Sequence, residues 1–537
     1  MITPKALLEM GVEIKDVDHF QKIDKRFQKD SSKIAIIMVF AVFISLIALN
    51  FGNLSHPLLL VLTTIIGGYM AMSIGANDVA NNVGPAVGSK AITLTGAIII
   101  AAVCEAGGAI IAGGDVVDTI KSGIIDPMSI ATPKVFVAVM LAALVSGAVW
   151  VHLATILKAP VSTTHSIVGG ILGAGIAAGG LGVAKWAVLG GIVASWIISP
   201  LMGGVIAMAF LMLIKKTITY KQNKRLAAKK VVPILIFVMA WAFGLYLILK
   251  GLSKVYSMGL FTAIVVSFLV ALGIYFIIKP LVSAKADTLQ NTKEDINALF
   301  TIPLVFAAAL LSFAHGANDV ANAIGPLAAI NQALGSLVSV GEKASVPLWI
   351  MVVGGLGISL GLALYGPRLI KTVGSEITEL DKMRAFCIAM SAALTVLIAS
   401  GLGLPVSSTH IAIGGVFGVG FLREYLKKRY HEMQQTILSA HSGKDAKVAL
   451  EFLEKFNQAS VKRKGAMLEG LKKMHKKSSL PHLNKKEKKS LKKVYKNELV
   501  KRSIIHKIIA SWIITVPVSA ILGAITYFIV TAVGLGL

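Results

Sequence analysis

Long apolar stretches constrain this chain more than any other feature of its sequence. They lie at roughly 34–54, 57–87, 91–117, 133–157, 160–180, 186–214, 231–250, 257–279, 298–326, 346–366, 385–404, 405–421 and 506–530. Most reach the ~20 residues that a helix needs to cross about 30 Å of hydrocarbon, well beyond the 9–11 of a membrane strand. Inside lipid every backbone N–H and C=O must find its partner within the chain, so stretches of this length are expected to be helices. Charged residues make up 15% of the chain, against about 25% in ordinary globular proteins, which leaves too little polar surface for water. The expected fold class is therefore all-α, a polytopic membrane protein. Cys104 and Cys387 sit inside apolar stretches and suggest neither a disulfide framework nor a thiolate zinc site. The first stretch follows 33 residues of mixed charge, with no small-residue cleavage site after it, and is read as a span rather than a signal.

The net charge of +26 would suggest nucleic acid in a soluble protein, but its distribution here suggests topology instead. Cytoplasmic loops of membrane proteins carry an excess of Lys and Arg. The segment 215–230 has seven basic residues and no acidic one, and 422–505 has 23 basic against eight acidic. Both are expected inside the cell, whereas the nearly neutral 179–185 is expected outside. Thirteen crossings then put the N-terminus inside and the C-terminus outside. No nucleic-acid partner is expected.

Two motifs occur twice. GANDVANNVGP at 75–85 returns as GANDVANAIGP at 316–326, and PVSTTHSIVGG at 160–170 returns as PVSSTHIAIGG at 405–415, at offsets of 241 and 245 residues. SWIISP at 195–200 is echoed by SWIITVP at 511–517, an offset of 316 that measures a basic insertion confined to the second half. Five crossings in the first repeat and two linking ones make seven before the second begins. Seven is odd, so the second repeat is expected to enter the membrane from the opposite face. Two inverted-topology repeats with broken or re-entrant helices and a midplane site are characteristic of secondary transporters. The expected organisation is a cytoplasmic segment 1–33, an additional span 34–56, repeat 1 at 57–214, a basic loop and linking helix pair at 215–297, repeat 2 at 298–421, the cytoplasmic insertion 422–505 and a final span within 506–537.

The repeated motifs carry chemistry that hydrocarbon tolerates poorly. Asp78 and Asp319 each lie in an apolar run, where a charged Asp costs about 2.5–3.5 kcal/mol unless a cation, a proton or water compensates it. Gly75 and Gly316, with Pro85 and Pro326, suggest helices broken at this point. Asn77, Asn81 and Asn82, with Asn318 and Asn322, supply neutral oxygens that, with a carboxylate, suit a hard, non-redox cation. Ordinary capping by these residues is the competing reading. Ser162, Thr163, Thr164 and Ser407, Ser408, Thr409 follow a proline and open a Gly-rich helix, where orphan N–H groups and hydroxyls favour an anion. Neither motif contains Lys or Arg, so an oxyanion there needs the aspartates neutralised first. That requirement would itself couple anion to cation. His165 and His410 are read as donors or packing groups, with proton relay the lesser reading. No nucleophile–base constellation or GxSxG elbow supports an enzyme. His315 and Asp319 have metal-ligand spacing, but Ile74 at the matching position argues against a metal site there.

These motifs resemble those of the inorganic phosphate transporter family of the PiT type, which has sodium- and proton-coupled members. The resemblance runs from about 57 to 421 and resumes at 506–530. It implies a helical inverted-repeat fold, a homodimer in the membrane lipid, and inorganic phosphate bound between the halves. It further implies that Asn77, Asp78, Asn318 and Asp319 hold the coupling cation, Na+ or H+, with Asn81 and Asn322 in support and no other cofactor. The six hydroxyl residues would line the phosphate site. Glu105 falls where animal relatives carry a functional acid, while Ala389 stands where many of them have Glu, which leaves proton coupling open beside sodium. The implied function is a cation-coupled phosphate symporter working by alternating access in a cell membrane, expected to be a bacterial inner membrane. The competing functions are transport of sulfate or a metal–phosphate complex, and a phosphate sensor that moves nothing. The 422–505 stretch reads as a solvated cytoplasmic loop or a contact with anionic lipid, with helical apolar spacing within 445–474.

Overall fold

Pro57 opens one of the two helices that carry GAND, and Thr301 opens the other. In a computed structural model, which describes residues 14–52, 55–157, 161–252, 256–334, 346–376, 380–438 and 502–534, these helices run unbroken through their motifs. In chain order the principal helices are α1 (Ile14–Phe51), α2 (Pro57–Gly88), α3 (Leu94–Ala112), α4 (Gly114–Ser122), α5 (Pro133–Ile156), α6 (Thr163–Gly179), α7 (Trp186–Ile214), α8 (Lys224–Tyr246) and α9 (Leu260–Asp287). There follow α10 (Lys293–Ala298), α11 (Thr301–Ala333), α12 (Leu348–Glu376), α13 (Lys382–Gly401), α14 (Ser408–Leu438) and α15 (Arg502–Val533). Among the described residues there is no strand, only an isolated bridge between Ile125 and Ala184.

Eleven of these helices are long and apolar enough to cross a bilayer, and the chain is a multi-pass membrane protein. The two of the thirteen expected stretches missing from that set are those opened by the hydroxyl motifs, α6 and α14. At 17 residues α6 is about 25 Å long, short of a full span. The expected breaks at GAND are not there: Pro85 and Pro326 lie inside α2 and α11. A proline removes one intrahelical bond, and neighbouring helices can sustain the rest of the ladder. The discontinuities lie between helices: α5 ends at Ile156 and α6 begins at Thr163, α13 ends at Gly401 and α14 begins at Ser408, and each pair forms a helical hairpin with its hydroxyl motif at the tip. The first hairpin, α5 and α6, leaves and returns on one face, because Asp126 N–H donates to Val183 O at 2.8 Å and Lys185 N–H to Ile124 O at 3.0 Å. Two crossings or one re-entrant pair give the same parity, so the shortness of α6 leaves the count of sides unchanged.

Other boundaries moved for local reasons. The stretch 91–117 divides at Gly113 into α3 and the short amphipathic α4. The basic loop expected at 215–230 is mostly helical: Lys224–Lys230 form the first turns of α8, which Asn223 caps by accepting Leu226 N–H. Residues 14–33 of the expected N-terminal segment and the first span form one helix, α1, whose apolar part is Ser31–Phe51. Residues 439–501 lie outside the described residues, and with them most of the basic insertion and the helical spacing at 445–474.

The halves interlock reciprocally. α2 packs on α12 and α11 packs on α3, α6 on α15 and α14 on α7, α5 on α15 and α13 on α7. Glycines permit the approach at matching places, as small residues do between membrane helices. A Cβ on Gly75 would strike the Ile358 carbonyl oxygen, and one on Gly316 the Glu105 carbonyl oxygen. Gly173 meets the Ala520 carbonyl and Gly418 the Gly204 carbonyl in the same way. The first pair places both GAND motifs at the centre, each against the other half.

Candidate substrate and cation site

All thirteen residues singled out by sequence are buried, and the structure brings them to one place between the halves. Asp78 and Asp319 are each 1% exposed, so their surroundings rather than bulk water must satisfy them. Hydroxyls from the hairpin tips do much of this. Thr163 donates to Asp78 Oδ2 at 3.2 Å, and Ser408, at the matching position, donates to Asp319 Oδ2 at 2.9 Å. Two further contacts cross between the halves: Asn81 Nδ2 donates to Thr409 Oγ1 at 2.8 Å and Asn322 Nδ2 to Thr164 Oγ1 at 3.0 Å.

Ser162 and Ser407 serve first as N-caps. Each hydroxyl oxygen accepts the backbone N–H three residues on, from His165 at 3.2 Å and His410 at 3.3 Å. A cap uses one lone pair and leaves the O–H to donate. His165 and His410 pack together, their ring centroids 4.6 Å apart and edge-on, with Trp196 3.8 Å from His165. Trp196 in turn donates from its indole to Pro405 O at 2.9 Å, which joins the third repeated motif to the second hairpin.

Asn77 and Asn318 fasten the GAND helices to the hairpins. Asn77 Nδ2 donates to Thr155 Oγ1 at 2.9 Å, and Asn318 Nδ2 to Ser400 Oγ at 3.0 Å and Leu404 O at 3.2 Å. The amide oxygens of Asn77, Asn318 and Asn322, and Asp319 Oδ1, are buried acceptors with no protein donor. A set of neutral and anionic oxygens with unused lone pairs fits a hard cation and offers little to a soft one.

The matching is not complete, and the departure concerns His315. Thr409 donates to Asp78 Oδ1 at 2.8 Å, whereas its counterpart Thr164 donates to Val406 O at 3.0 Å. On the Asp319 side the second oxygen has no such donor, and His315 stands instead against the oxygen that Ser408 reaches, with Nε2 3.0 Å from Asp319 Oδ2 and 3.8 Å from Asp78 Oδ2. Its Nδ1 lies 3.2 Å from Glu105 Oε2. Glu105 Oε1 accepts from Asn82 Nδ2 at 2.8 Å, so this acid is a fully buried, paired group rather than a snorkelling one. Asp78, His315 and Asp319 offer three ligand atoms within 4.8 Å of one another. Spacing alone showed His315 beside Asp319 and missed Asp78, which the fold brings from the other half. Ala389, the noted departure from relatives, is buried in α13.

A family model described as "Phosphate transporter family" matches residues 74–523. A Helicobacter pylori (strain J99) protein named "Putative phosphate permease" is 59% identical over 523 residues, 96% of this chain and 98% of its own length. A Pyrococcus furiosus protein of the same description is 41% identical over 385 residues, 70% of this chain and 90% of its own. A solved structure titled "The sodium-dependent phosphate transporter" superposes with a TM-score of 0.71 at 30% identity, covering 88% of this chain and 99% of that one.

Proposed function

The chain belongs to the phosphate transporter family, and on that premise we propose that it carries inorganic phosphate across a membrane as a cation-coupled symporter. One observation carries the reading: hydroxyls of both hairpin tips donate to the carboxylates of both GAND motifs. A cation that takes over the carboxylate oxygens releases those hydroxyls to donate to a phosphate oxygen. In this reading Ser162, Thr163, Thr164, Ser407, Ser408 and Thr409 hold phosphate, and Asn77, Asp78, Asn318 and Asp319 hold the cation. Asn81 and Asn322 keep the hydroxyls in place, and Glu105 acts through His315 and Asn82. Without the cation, two buried carboxylates repel the anion, which makes binding of one depend on the other.

Sodium is the first coupling ion to test, because the oxygen set suits it and the solved relative is named as sodium-dependent. His315 favours a second reading, in which a proton serves, since its ring stands against three carboxylates. The reciprocal packing of the halves supports inverted repeats that exchange access by turns. The excess of Lys and Arg supports 215–230, 422–505 and the N-terminus inside the cell and the C-terminus outside, and the family resemblance supports two copies associating in the lipid. Uptake of labelled phosphate into proteoliposomes, under an imposed sodium or proton gradient, tests the proposal. Gradient-driven uptake is expected with one of the two. Phosphate binding without driven uptake would leave a sensor, and uptake driven equally for sulfate would remove the assigned substrate.

A further inference from the structure

All thirteen site residues are buried, so an ion from water reaches them only if a covering element moves. The tip of the second hairpin singles out one such element. Four successive carbonyl oxygens there each accept from the side chain of a different helix. Gly403 O accepts from Thr119 Oγ1 at 2.7 Å, Leu404 O from Asn318 Nδ2 at 3.2 Å, Pro405 O from Trp196 Nε1 at 2.9 Å and Val406 O from Thr164 Oγ1 at 3.0 Å. A tip outside the helical ladder needs such donors within a membrane protein. Asn318, Trp196 and Thr164 stand on α11, α7 and α6, which belong to the body of the bundle. Thr119 stands on α4, a helix of nine residues. Lys185 Nζ donates to Ser122 O at 3.0 Å, so α4 lies at the same end of the molecule as 179–185, the end expected outside the cell.

The anatomy of α4 suits a part that covers and lifts. Val116, Val117, Ile120 and Lys121 are its buried residues, and it packs along α11 between two close approaches. A Cβ on Gly113 would press on Val320, and one on Gly325 would press on Ile120. The stretch of α11 between them includes Asn322, which donates to Thr164 Oγ1 at 3.0 Å. The tie from α4 to Lys250, just beyond α8, meets water: Asp115 Oδ2 and Lys250 Nζ are 2.5 Å apart, on side chains 46% and 31% exposed. Such a pair contributes little, because water competes for both partners. Lys121 is 1% exposed, with Asp118 Oδ1 3.1 Å from its ammonium. Burying an ammonium penalises the closed position, whereas lifting α4 hydrates it, which brings the two positions closer in energy. Gly113 and Gly123 bracket the helix, and the terminal residues of an element are where hinges absorb rotation.

Resting on the transport reading, we propose that α4 is a lid over the substrate site, and that Thr119 is the positioning residue that holds the tip of the second hairpin while the lid is shut. Ions pass on this face when α4 swings on Gly113 and Gly123. The swing breaks Thr119–Gly403 and Asp115–Lys250 and leaves the other three carbonyl contacts of the tip in place. Ser407, Ser408 and Thr409 follow that tip directly, so the bond that shuts the lid also sets where the substrate hydroxyls stand.

The full-length variant D115C/K250C tests the lid. A short bifunctional methanethiosulfonate, applied in detergent before reconstitution, bridges the two thiols. Bridging is expected to lower gradient-driven phosphate uptake at least tenfold, with recovery on reduction. The monofunctional reagent on the same variant, and the bifunctional one on wild type with its Cys104 and Cys387, are expected to change uptake less than twofold. Wild-type uptake by the bridged protein, or an equal loss with the monofunctional reagent, overturns the proposal. Where bridging fails, labelling decides. Val116→Cys, on the covered face of α4, is exposed to a water-soluble maleimide when α4 lifts, and adding Thr119→Val is expected to speed its labelling in detergent at least threefold. An unchanged rate overturns the proposal. Absence of uptake by untreated wild type under either gradient refutes transport itself and leaves the labelling rate to judge the lid, so the two failures are told apart.

Discussion

Thr409 donates its hydroxyl hydrogen to Asp78 Oδ1 at 2.8 Å, joining residues 331 positions apart. Thr163 donates to the other oxygen of the same carboxylate at 3.2 Å, so both hairpin tips converge on Asp78. Thr409→Val keeps the shape and removes the hydroxyl, and it also leaves Asn81 Nδ2 without its acceptor. Hydrogen bonds to charged groups contribute about 1.5–3 kcal/mol, roughly ten- to a hundredfold in an equilibrium constant. Phosphate uptake by Thr409→Val is expected to fall by that factor, with Thr409→Ser close to wild type. Titrating labelled uptake against the coupling cation in proteoliposomes checks this, and equal uptake by the Val variant would detach Thr409 from the site.

Asp78→Asn and Asp319→Asn separate charge from shape. The amide keeps the size of the carboxylate and one acceptor oxygen, so the packing of α2 and α11 is expected to survive. Driven uptake is expected to fall at least a hundredfold in each, because in the proposed site the cation would lose its anionic ligand. Melting curves and size-exclusion profiles establish that the variants remain folded. A folded Asp78→Asn protein with unchanged coupling would place the cation elsewhere.

Gly75 and Gly316 make the reciprocal packing testable. A Cβ at either position runs into a backbone carbonyl of the other half, Ile358 or Glu105, which cannot yield as a flexible side chain does. Overpacking of this kind costs typically about 1–3 kcal/mol. Gly75→Ala and Gly316→Ala are each expected to lower the melting temperature, by similar amounts. Gly190→Ala on α7, with nothing within 4 Å of its Cβ, is expected to be neutral or slightly stabilising. Unequal losses at Gly75 and Gly316 would contradict the matched roles of the two halves.

Much of this site could be read from the sequence because duplication made it redundant. Two copies of GANDVAN and of the hydroxyl triplet identified the buried residues that meet in the structure. What spacing could not reveal was which half serves which. Asn81 and Asn322 each reach the opposite half, and the separation of 328 residues between Asn81 and Thr409 carries no periodic signal. His315 was judged by its neighbour Asp319 and by Ile74, its counterpart, yet its other contacts, Glu105 and Asp78, come from α3 and α2. The prolines misled for a related reason. Pro85 and Pro326 weaken a helix locally, but helices packed on every side hold α2 and α11 continuous, and only tertiary structure supplies that support.

Glu105 binds Asn82 through one oxygen and faces His315 with the other, at 2.8 and 3.2 Å. Glu105→Ala leaves an amide and an imidazole buried without their partner, and breaking a buried pair in this way costs about 3–5 kcal/mol. Glu105→Gln keeps an acceptor for Asn82 and nearly the same volume, so its loss of stability is expected to stay near 1 kcal/mol. Transport should distinguish positioning from packing. If Glu105 holds His315 against Asp319, uptake per folded molecule falls in Gln as well as in Ala, since the amide removes the charge that faces the ring. Thermal unfolding measured beside gradient-driven uptake checks both parts. A Gln variant with wild-type uptake would reduce Glu105 to a structural partner of Asn82.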